Sequence, residues 1–274
     1  MKKIFFIFLF LLIGPVVWGQ SIADEPAALT TQRPVLIEAF TATWCTFCYG
    51  PGMALDIIQK NYPRSEVIVV VYHKDDPYSI PFTKTRDKYY GVLGYPTAWF
   101  NGIIEETGGA RYQDGGVGIS NVYNIFAGWI QEEHARIASA VPFQLRLEGE
   151  IGLTNTEMKL TISSATGYPG SVNAIVLVAE DRVLVPPDQI QFNANKQAVF
   201  GAVARAHLGT EPVTLNSPGS LEINISYADS IPHLFQENLR PVVFLQDDTT
   251  GEILGAVGEF SEPEPSATSD WWLY

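Results

Sequence analysis

The chain has 274 residues, of which 46% are hydrophobic and 17% are charged, and it carries a formal net charge of −13. This composition is that of a globular protein, long enough for two modest domains or one large domain. The negative charge disfavours nucleic acids and anionic lipid surfaces as partners, because binding to phosphates depends on lysine and arginine. Only two cysteines are present, too few for a scaffold stapled by disulfides, so apolar cores must hold the fold together.

The first 19 residues have the pattern of a secretory signal peptide. Lys2 and Lys3 precede an apolar run at residues 4–13, and small residues suited to cleavage follow it. The run fits the roughly 7–15 residues of a signal-peptide core and is shorter than the roughly 20 residues of a membrane-spanning helix. We predict a signal peptide at 1–19 and a flexible leader at 20–32, with no transmembrane segment after signal removal. The short core disfavours the alternative, an uncleaved N-terminal anchor.

Residues 33–140 alternate between strand and helix patterns. Apolar runs at 33–40 and 66–74 predict two buried strands. A helical pattern follows each strand, then Asn101 and Gly102 join two short strands as a hairpin, and a long amphipathic helix ends the segment. This order predicts an α/β domain with a mixed sheet over 33–140.

From residue 141 the pattern changes to short strands. Seven short runs are separated by turn residues, and apolar residues alternate with polar ones in several of them, as at Leu145 and Leu147. This spacing predicts an all-β, immunoglobulin-like sandwich domain over 141–260. Residues 261–274 begin with proline and glutamate and are predicted to form a loose tail.

Both cysteines lie in one short motif, TWCTFC, at residues 43–48. The spacing is compatible with a redox pair, half of a metal site or a small structural staple. The motif follows a predicted strand and opens a predicted helix, where unpaired N–H groups and the helix dipole favour a thiolate at Cys45. Cys48 would lie one turn further along. This placement predicts that Cys45 attacks a disulfide and that Cys48 resolves the mixed disulfide.

The other two uses of the cysteines are disfavoured. A four-ligand zinc site needs two more ligands, and the histidines are scattered along the chain at His73, His134, His207 and His233. We therefore predict no metal site. A disulfide between Cys45 and Cys48 closes too small a loop to stabilise the fold much.

We interpret Trp44, which directly precedes Cys45, as a wall of the site.

A second motif, GYPTAWFNG at residues 94–102, lies before and within the predicted hairpin. With it, the order of elements and the TWCTFC motif make residues 33–138 resemble the thioredoxin superfamily. The resemblance implies a cis peptide bond before Pro96 and a place for Pro96 facing the cysteine pair. It also implies that Tyr95, Pro96 and Thr97 position an extended protein substrate by strand addition. The redox-active Cys45–Cys48 disulfide would need no bound cofactor.

The whole chain is similar to a narrower group of exported bacterial proteins that are described as outer-membrane proteins. They combine a thioredoxin-like N-terminal half with an all-β C-terminal half. The motifs VLIEAFTATWC, GYPTAWFNG, AVFGAVARAHLG and VVFLQDDTTGEILGAV carry this resemblance. It implies a location in the periplasm, at the outer membrane or at the cell surface, with exported protein substrates or a redox partner protein.

The site departs from the thioredoxin pattern beneath the cysteines. Many thioredoxins carry a buried carboxylate beneath the cysteines, and here Ala39 occupies that position with Glu38 beside it. Glu38 is a candidate proton shuttle, although strand alternation points it to the opposite face unless the strand bulges. Thr46 and Phe47, between the cysteines, are expected to tune the reduction potential in a direction that the sequence does not define.

The leading hypothesis is an exported thiol–disulfide oxidoreductase that acts on protein disulfides through Cys45 and Cys48. The alternative is a non-catalytic binding or scaffold protein of the cell surface, with the thioredoxin-like half retained as a platform. The β-domain carries no catalytic constellation in its sequence, which is compatible with both hypotheses.

Overall fold

The computed structural model describes residues 33–138, 142–152 and 154–261. The predicted signal peptide at 1–19, the leader at 20–32 and nearly all of the predicted tail lie outside these residues. The protein has a mixed α/β fold with large sheets and few helices. Within the described part of the chain, every helix is too short or too polar to cross a membrane.

The N-terminal half has the predicted order of elements. In chain order these are β1 (Val35–Thr41), α1 (Tyr49–Asn61), β2 (Val67–His73), α2 (Pro81–Tyr90), β3 (Thr97–Phe100), β4 (Ile104–Thr107) and α3 (Gly115–Ile137). Helix α2 ends at Gly91, whose φ of 62° is in the left-handed region that favours glycine.

The C-terminal half is built mainly of strands. They are β5 (Gln144–Glu150), β6 (Thr156–Ser164), β7 (Tyr168–Glu180), β8 (Val183–Leu184), β9 (Val199–Phe200), β10 (Val203–Leu215), β11 (Gly219–Tyr227), β12 (Leu239–Asp247) and β13 (Ile253–Val257), with a short helix α4 (Pro187–Ile190) after β8. Each of the seven predicted runs contains a strand, and one run contains two, β9 and β10. They are separate because the chain turns at Ala202, whose φ is 55°.

One eight-stranded sheet runs through both halves of the chain, in the order β13-β12-β7-β10-β2-β1-β3-β4. The two halves join where β10 lies parallel to β2, with Val203 opposite Val71. A second sheet, β11-β6-β5, packs on the C-terminal end of the large sheet through a shared apolar core. Part of the predicted sandwich is therefore continuous with the N-terminal sheet, and the domain boundary near residue 140 stays a prediction.

Strands β1 and β2 are buried on both faces, as their continuous apolar runs predicted. On one face Val35, Ile37 and Ala39 pack with residues of α1 and α3. On the other face Leu36 and Phe40 pack with residues of β7 and β12 and with aromatic side chains of α2. Strand β1 therefore lies between two packed layers. Residues 42–48 follow directly from its end, so this packing fixes their position.

The carboxyl group of Asp56 on α1 is partly buried against the C-terminal half. A Cβ atom on Gly201 would lie only 2.6 Å from Asp56 Oδ1. Burial raises the pKa of Asp56 from 3.8 to about 6, although Lys60 opposes the shift. The folded state therefore holds this proton more tightly than the unfolded chain. The stability that the folded state gains from binding this proton is complete below about pH 4 and is lost as the pH rises through about 6.

Replacing Asp56 with asparagine should therefore stabilise the protein at neutral pH. We expect the Asp56→Asn variant to gain about 1–2 kcal/mol in the free energy of unfolding at pH 7, after allowance for solvent screening, and little at pH 4. Urea unfolding of both proteins at the two pH values measures the difference. An equal effect at pH 4 and pH 7 would show that Asp56 does not titrate in this way.

Candidate functional site

The cysteine pair lies where β1 leads into α1, as the sequence predicted. Cys45 and Cys48 form a disulfide, with their Cα atoms 5.4 Å apart. Residues Thr46–Cys48 form a single 3₁₀ turn and α1 follows from Tyr49. Cys45 is therefore at the start of the helical segment, and Cys48 is at the junction between the 3₁₀ turn and α1. Pro51 fits the first turn of α1 because the N–H groups there have no helical acceptor.

The two cysteines differ in their access to solvent. Cys45 is 5% exposed and Cys48 is 0% exposed. The side chains on either side are far more open, since Trp44 is 50% exposed and Phe47 is 49% exposed. The buried disulfide is therefore flanked by two exposed aromatic rings.

Hydrogen bonds fix the turn that precedes Cys45. The Cys45 N–H donates to the Ala42 carbonyl over 3.2 Å, and the Cys48 N–H donates to the Cys45 carbonyl over 3.3 Å. The Thr43 N–H donates to Asp76 Oδ2 over 2.8 Å. The Trp44 indole N–H donates to the Lys74 carbonyl over 3.0 Å. The cysteine turn is therefore attached to the end of β2 as well as to β1.

Asp76 is held in turn by His73, the last residue of β2. His73 is fully buried, and its Nδ1 lies 2.8 Å from Asp76 Oδ2. Burial alone would raise the pKa of Asp76, but hydrogen bonds from His73 and from the N–H groups of Thr43 and Tyr78 outweigh it and hold the pKa below its usual value. Asp76 is thus kept ionised as an acceptor for the cysteine turn.

Tyr95 packs against the cysteine pair from the loop before β3. It contacts the cluster of Ala42, Cys45 and Cys48, and its ring meets the Trp44 ring edge-on with centroids 5.5 Å apart. The Tyr95–Pro96 peptide bond is cis, as the resemblance implied.

The same loop is anchored on both sides of the cis bond. The Tyr95 hydroxyl donates to Asp87 Oδ1 over 2.5 Å, and the Thr97 hydroxyl donates to the Gly94 carbonyl over 2.9 Å. Burial and the Asp87 carboxylate raise the pKa of Tyr95, so this hydroxyl remains a donor. The structure thus brings Trp44, Cys45, Cys48 and Tyr95 together, with Pro96 and Thr97 following directly.

Glu38 lies on the opposite face of the sheet from Ala39. The pairing of β1 with β2 is unbroken, so the strand does not bulge. Glu38 is 1% exposed and accepts hydrogen bonds from Arg86 at both oxygens, at 2.9 Å and 2.6 Å. The hydroxyls of Tyr72 and Tyr90 also donate to it, over 2.9 Å and 2.5 Å. Glu38 is therefore part of a buried ion-pair cluster, and we assign it no part in proton transfer.

The C-terminal half also reaches the site, through residues that the sequence analysis did not select. The side-chain amide of Asn195 donates to the Ala42 carbonyl over 3.2 Å. Gln197 lies against Gly52 of α1 and lines a cavity of about 30 Å³ beneath Pro96. These residues carry no motif and lie some 150 positions from the cysteines, so no local pattern could have identified them.

No metal-binding cluster is present among the residues that the structure describes, taking groups of three or more histidine, cysteine, aspartate or glutamate side chains. The histidines have other contacts: His207 stacks on the Phe82 ring with centroids 3.7 Å apart, while His134 and His233 lie within hydrogen-bonding distance of backbone carbonyls.

A likeness to a solved structure bears on the fold. No protein-family model and no curated protein matches the sequence. Among solved structures, the chain is similar to HBP35 of Porphyromonas gingivalis, with 18% identity and a TM-score of 0.59 over 86% of this chain and 78% of that one. At this identity the likeness indicates a shared fold and nothing more.

A second likeness, to a domain of the outer membrane lipoprotein Omp28 from Porphyromonas gingivalis, is weaker. It has 18% identity and a TM-score of 0.29, and it covers 46% of this chain and 92% of that one. A TM-score this low supports no conclusion about this chain.

Proposed function

We propose that this protein is an exported thiol–disulfide oxidoreductase with a thioredoxin-like N-terminal half, acting on protein disulfides. The observation that carries the proposal is the Cys45–Cys48 disulfide at the start of a helix, packed against Tyr95 and directly preceded by the exposed Trp44. A structural staple would need neither the position at a helix start nor the loop before Pro96. Export rests on the predicted signal peptide, and we place the protein in the periplasm, at the outer membrane or at the cell surface.

In the reducing direction the exchange takes two steps. The Cys45 thiolate attacks one sulfur of a substrate disulfide; a new S–S bond forms, the substrate bond breaks, and one substrate thiolate leaves. The Cys48 thiol then loses its proton and attacks the Cys45 sulfur, which releases the second substrate thiolate and forms the Cys45–Cys48 disulfide. A small thiol or a redox protein restores the dithiol. The same steps in reverse oxidise a substrate dithiol.

Local features of the site favour these steps. Cys45 precedes the first N–H groups of the helical segment, which stabilise a thiolate. The exposed rings of Trp44 and Phe47 offer apolar contacts to an unfolded or extended substrate. The backbone next to Pro96, at Tyr95 and Thr97, would align that substrate as an added strand.

Trapping the mixed disulfide tests this order of attack. In a Cys48→Ser variant, Cys45 can attack but the intermediate cannot be resolved. We expect the reduced variant to accumulate a covalent complex with an oxidised protein substrate, seen as a band of higher mass on a non-reducing gel and removed by dithiothreitol. The Cys45→Ser variant is the matched control and should form little complex. More complex with Cys45→Ser than with Cys48→Ser would reverse the assigned roles.

A further inference from the structure

A segment of the C-terminal half, residues 195–201, covers the cysteine turn. Asn195 is fully buried, and three of its polar groups make hydrogen bonds there. Its side-chain N–H donates to the Ala42 carbonyl and its backbone N–H donates to the Thr43 carbonyl, both over 3.2 Å. Its side-chain oxygen accepts the Gln197 N–H over 3.2 Å. A buried side-chain amide whose nitrogen and oxygen are both hydrogen-bonded favours one local geometry.

The carbonyl that Asn195 binds is the one that closes the cysteine turn. Ala42 O accepts the Cys45 N–H as well as the Asn195 amide. Thr43 is held from two sides, since its N–H donates to Asp76 and its carbonyl accepts from Asn195. The backbone that presents Cys45 is thus fixed between the end of β2 and the 195–201 segment.

The 195–201 segment also touches α1, which begins directly after Cys48. A Cβ atom on Gly52 would lie 2.2 Å from Nε2 of Gln197, so this side chain rests directly on the first turn of α1. The backbone continues into the core, where the Ala202 carbonyl accepts the Val71 N–H over 2.8 Å. The same short segment therefore contacts the chain on both sides of the disulfide.

We propose that Asn195 is a positioning residue of the redox pair and that the C-terminal half, through it, sets the reduction potential of the Cys45–Cys48 disulfide. Holding the turn keeps the two sulfurs close, which raises their effective concentration and favours the disulfide over the dithiol. The inference rests on the proposed function, because it concerns the exchange reaction of the same two cysteines. Asn195 acts through the backbone of residues 42–45 and touches no substrate.

The test is the equilibrium between the full exported chain and glutathione. The dithiol protein and glutathione disulfide give the protein disulfide and two molecules of glutathione, so atoms and electrons balance. We expect Asn195→Ala to lower this equilibrium constant roughly threefold to tenfold, the usual worth of one hydrogen bond. A tenfold change corresponds to about 30 mV in reduction potential. If Asn195 supported the fold equally in both redox states, the constant would not move.

Two further variants complete the test. Asn173→Ala is the control, since the Asn173 amide also donates a hydrogen bond, but to the Asp248 side chain within the C-terminal half. It should leave the constant within twofold of the wild type. Asn195→Asp keeps the size and the acceptor oxygen but removes the donor, and it should shift the constant in the same direction as Asn195→Ala.

An unchanged constant in both Asn195 variants, or an equal shift in Asn173→Ala, would overturn the inference. Failure of both Asn195 variants to fold would also overturn it, by assigning the residue to the fold as a whole. The proposed function is tested separately. A wild-type protein that equilibrates with glutathione but does not catalyse insulin reduction would refute the proposed activity while leaving the effect of Asn195 on the potential measurable.

Discussion

Replacing Cys45 with serine should reduce the catalysed reduction of insulin by dithiothreitol to the uncatalysed background. The serine hydroxyl is not ionised at neutral pH, so the first attack on the substrate disulfide has no nucleophile. We expect that Cys48 does not replace Cys45, because Cys48 is fully buried, whereas Cys45 keeps 5% exposure and directly follows the exposed Trp44. The measurement is the lag and rate of insulin precipitation at equal protein concentrations.

The fold should survive this change. The disulfide spans only three positions, and a loop of that size contributes little to stability through the unfolded chain. Circular dichroism and urea unfolding of Cys45→Ser should therefore stay close to those of the reduced wild-type protein. Equal insulin reduction by the wild type and by Cys45→Ser would refute the proposed activity and favour the alternative, a non-catalytic surface protein.

Replacing Arg86 with methionine should destabilise the protein by about 3–5 kcal/mol. The change leaves the carboxylate of Glu38 buried without its cation, and breaking a buried ion pair from one side carries a cost of this size. Arg86 donates hydrogen bonds to both oxygens of Glu38, to the Gln246 side chain and to the Tyr90 hydroxyl. Urea unfolding measures the loss as a lower midpoint.

A double variant separates the unpaired charge from lost packing. Glu38→Leu combined with Arg86→Met removes both charges at similar volume, and we expect it to recover most of the stability lost in Arg86→Met. The reduction potential of the cysteine pair should stay unchanged in both, because the cluster lies on the opposite face of β1. A loss below about 1 kcal/mol in Arg86→Met, or a shift in potential, would contradict this account.

The parts of the fold that sequence could predict are those with local signals. Continuous apolar runs identified β1 and β2, Asn101 and Gly102 identified the hairpin, and the position of TWCTFC between strand and helix placed Cys45 and Cys48. Strand alternation also put Glu38 on the face away from Ala39, where the structure has it. Each of these inferences needs only neighbouring residues.

The parts that sequence could not predict depend on contacts between distant residues. The pairing of Val203 with Val71 that joins the two halves into one sheet has no signature in either strand. Arg86 lies in a helix with charges of both signs, a pattern typical of a solvent-exposed helix. Its burial depends on hydrogen bonds to Glu38 on β1 and Gln246 on β12. The sequence around Asn195 is that of an ordinary turn, and its hydrogen bond to the Ala42 carbonyl forms only in the folded chain.

The reduction potential of the Cys45–Cys48 pair tests the central claim most directly. Thiol–disulfide oxidoreductases have potentials from about −270 to −120 mV, whereas structural disulfides of exported proteins lie below about −300 mV. Equilibration of the protein with glutathione or dithiothreitol buffers, followed by alkylation of free thiols, gives the value. We predict a potential within the oxidoreductase range. A value below about −300 mV would contradict the account and identify the pair as a structural disulfide.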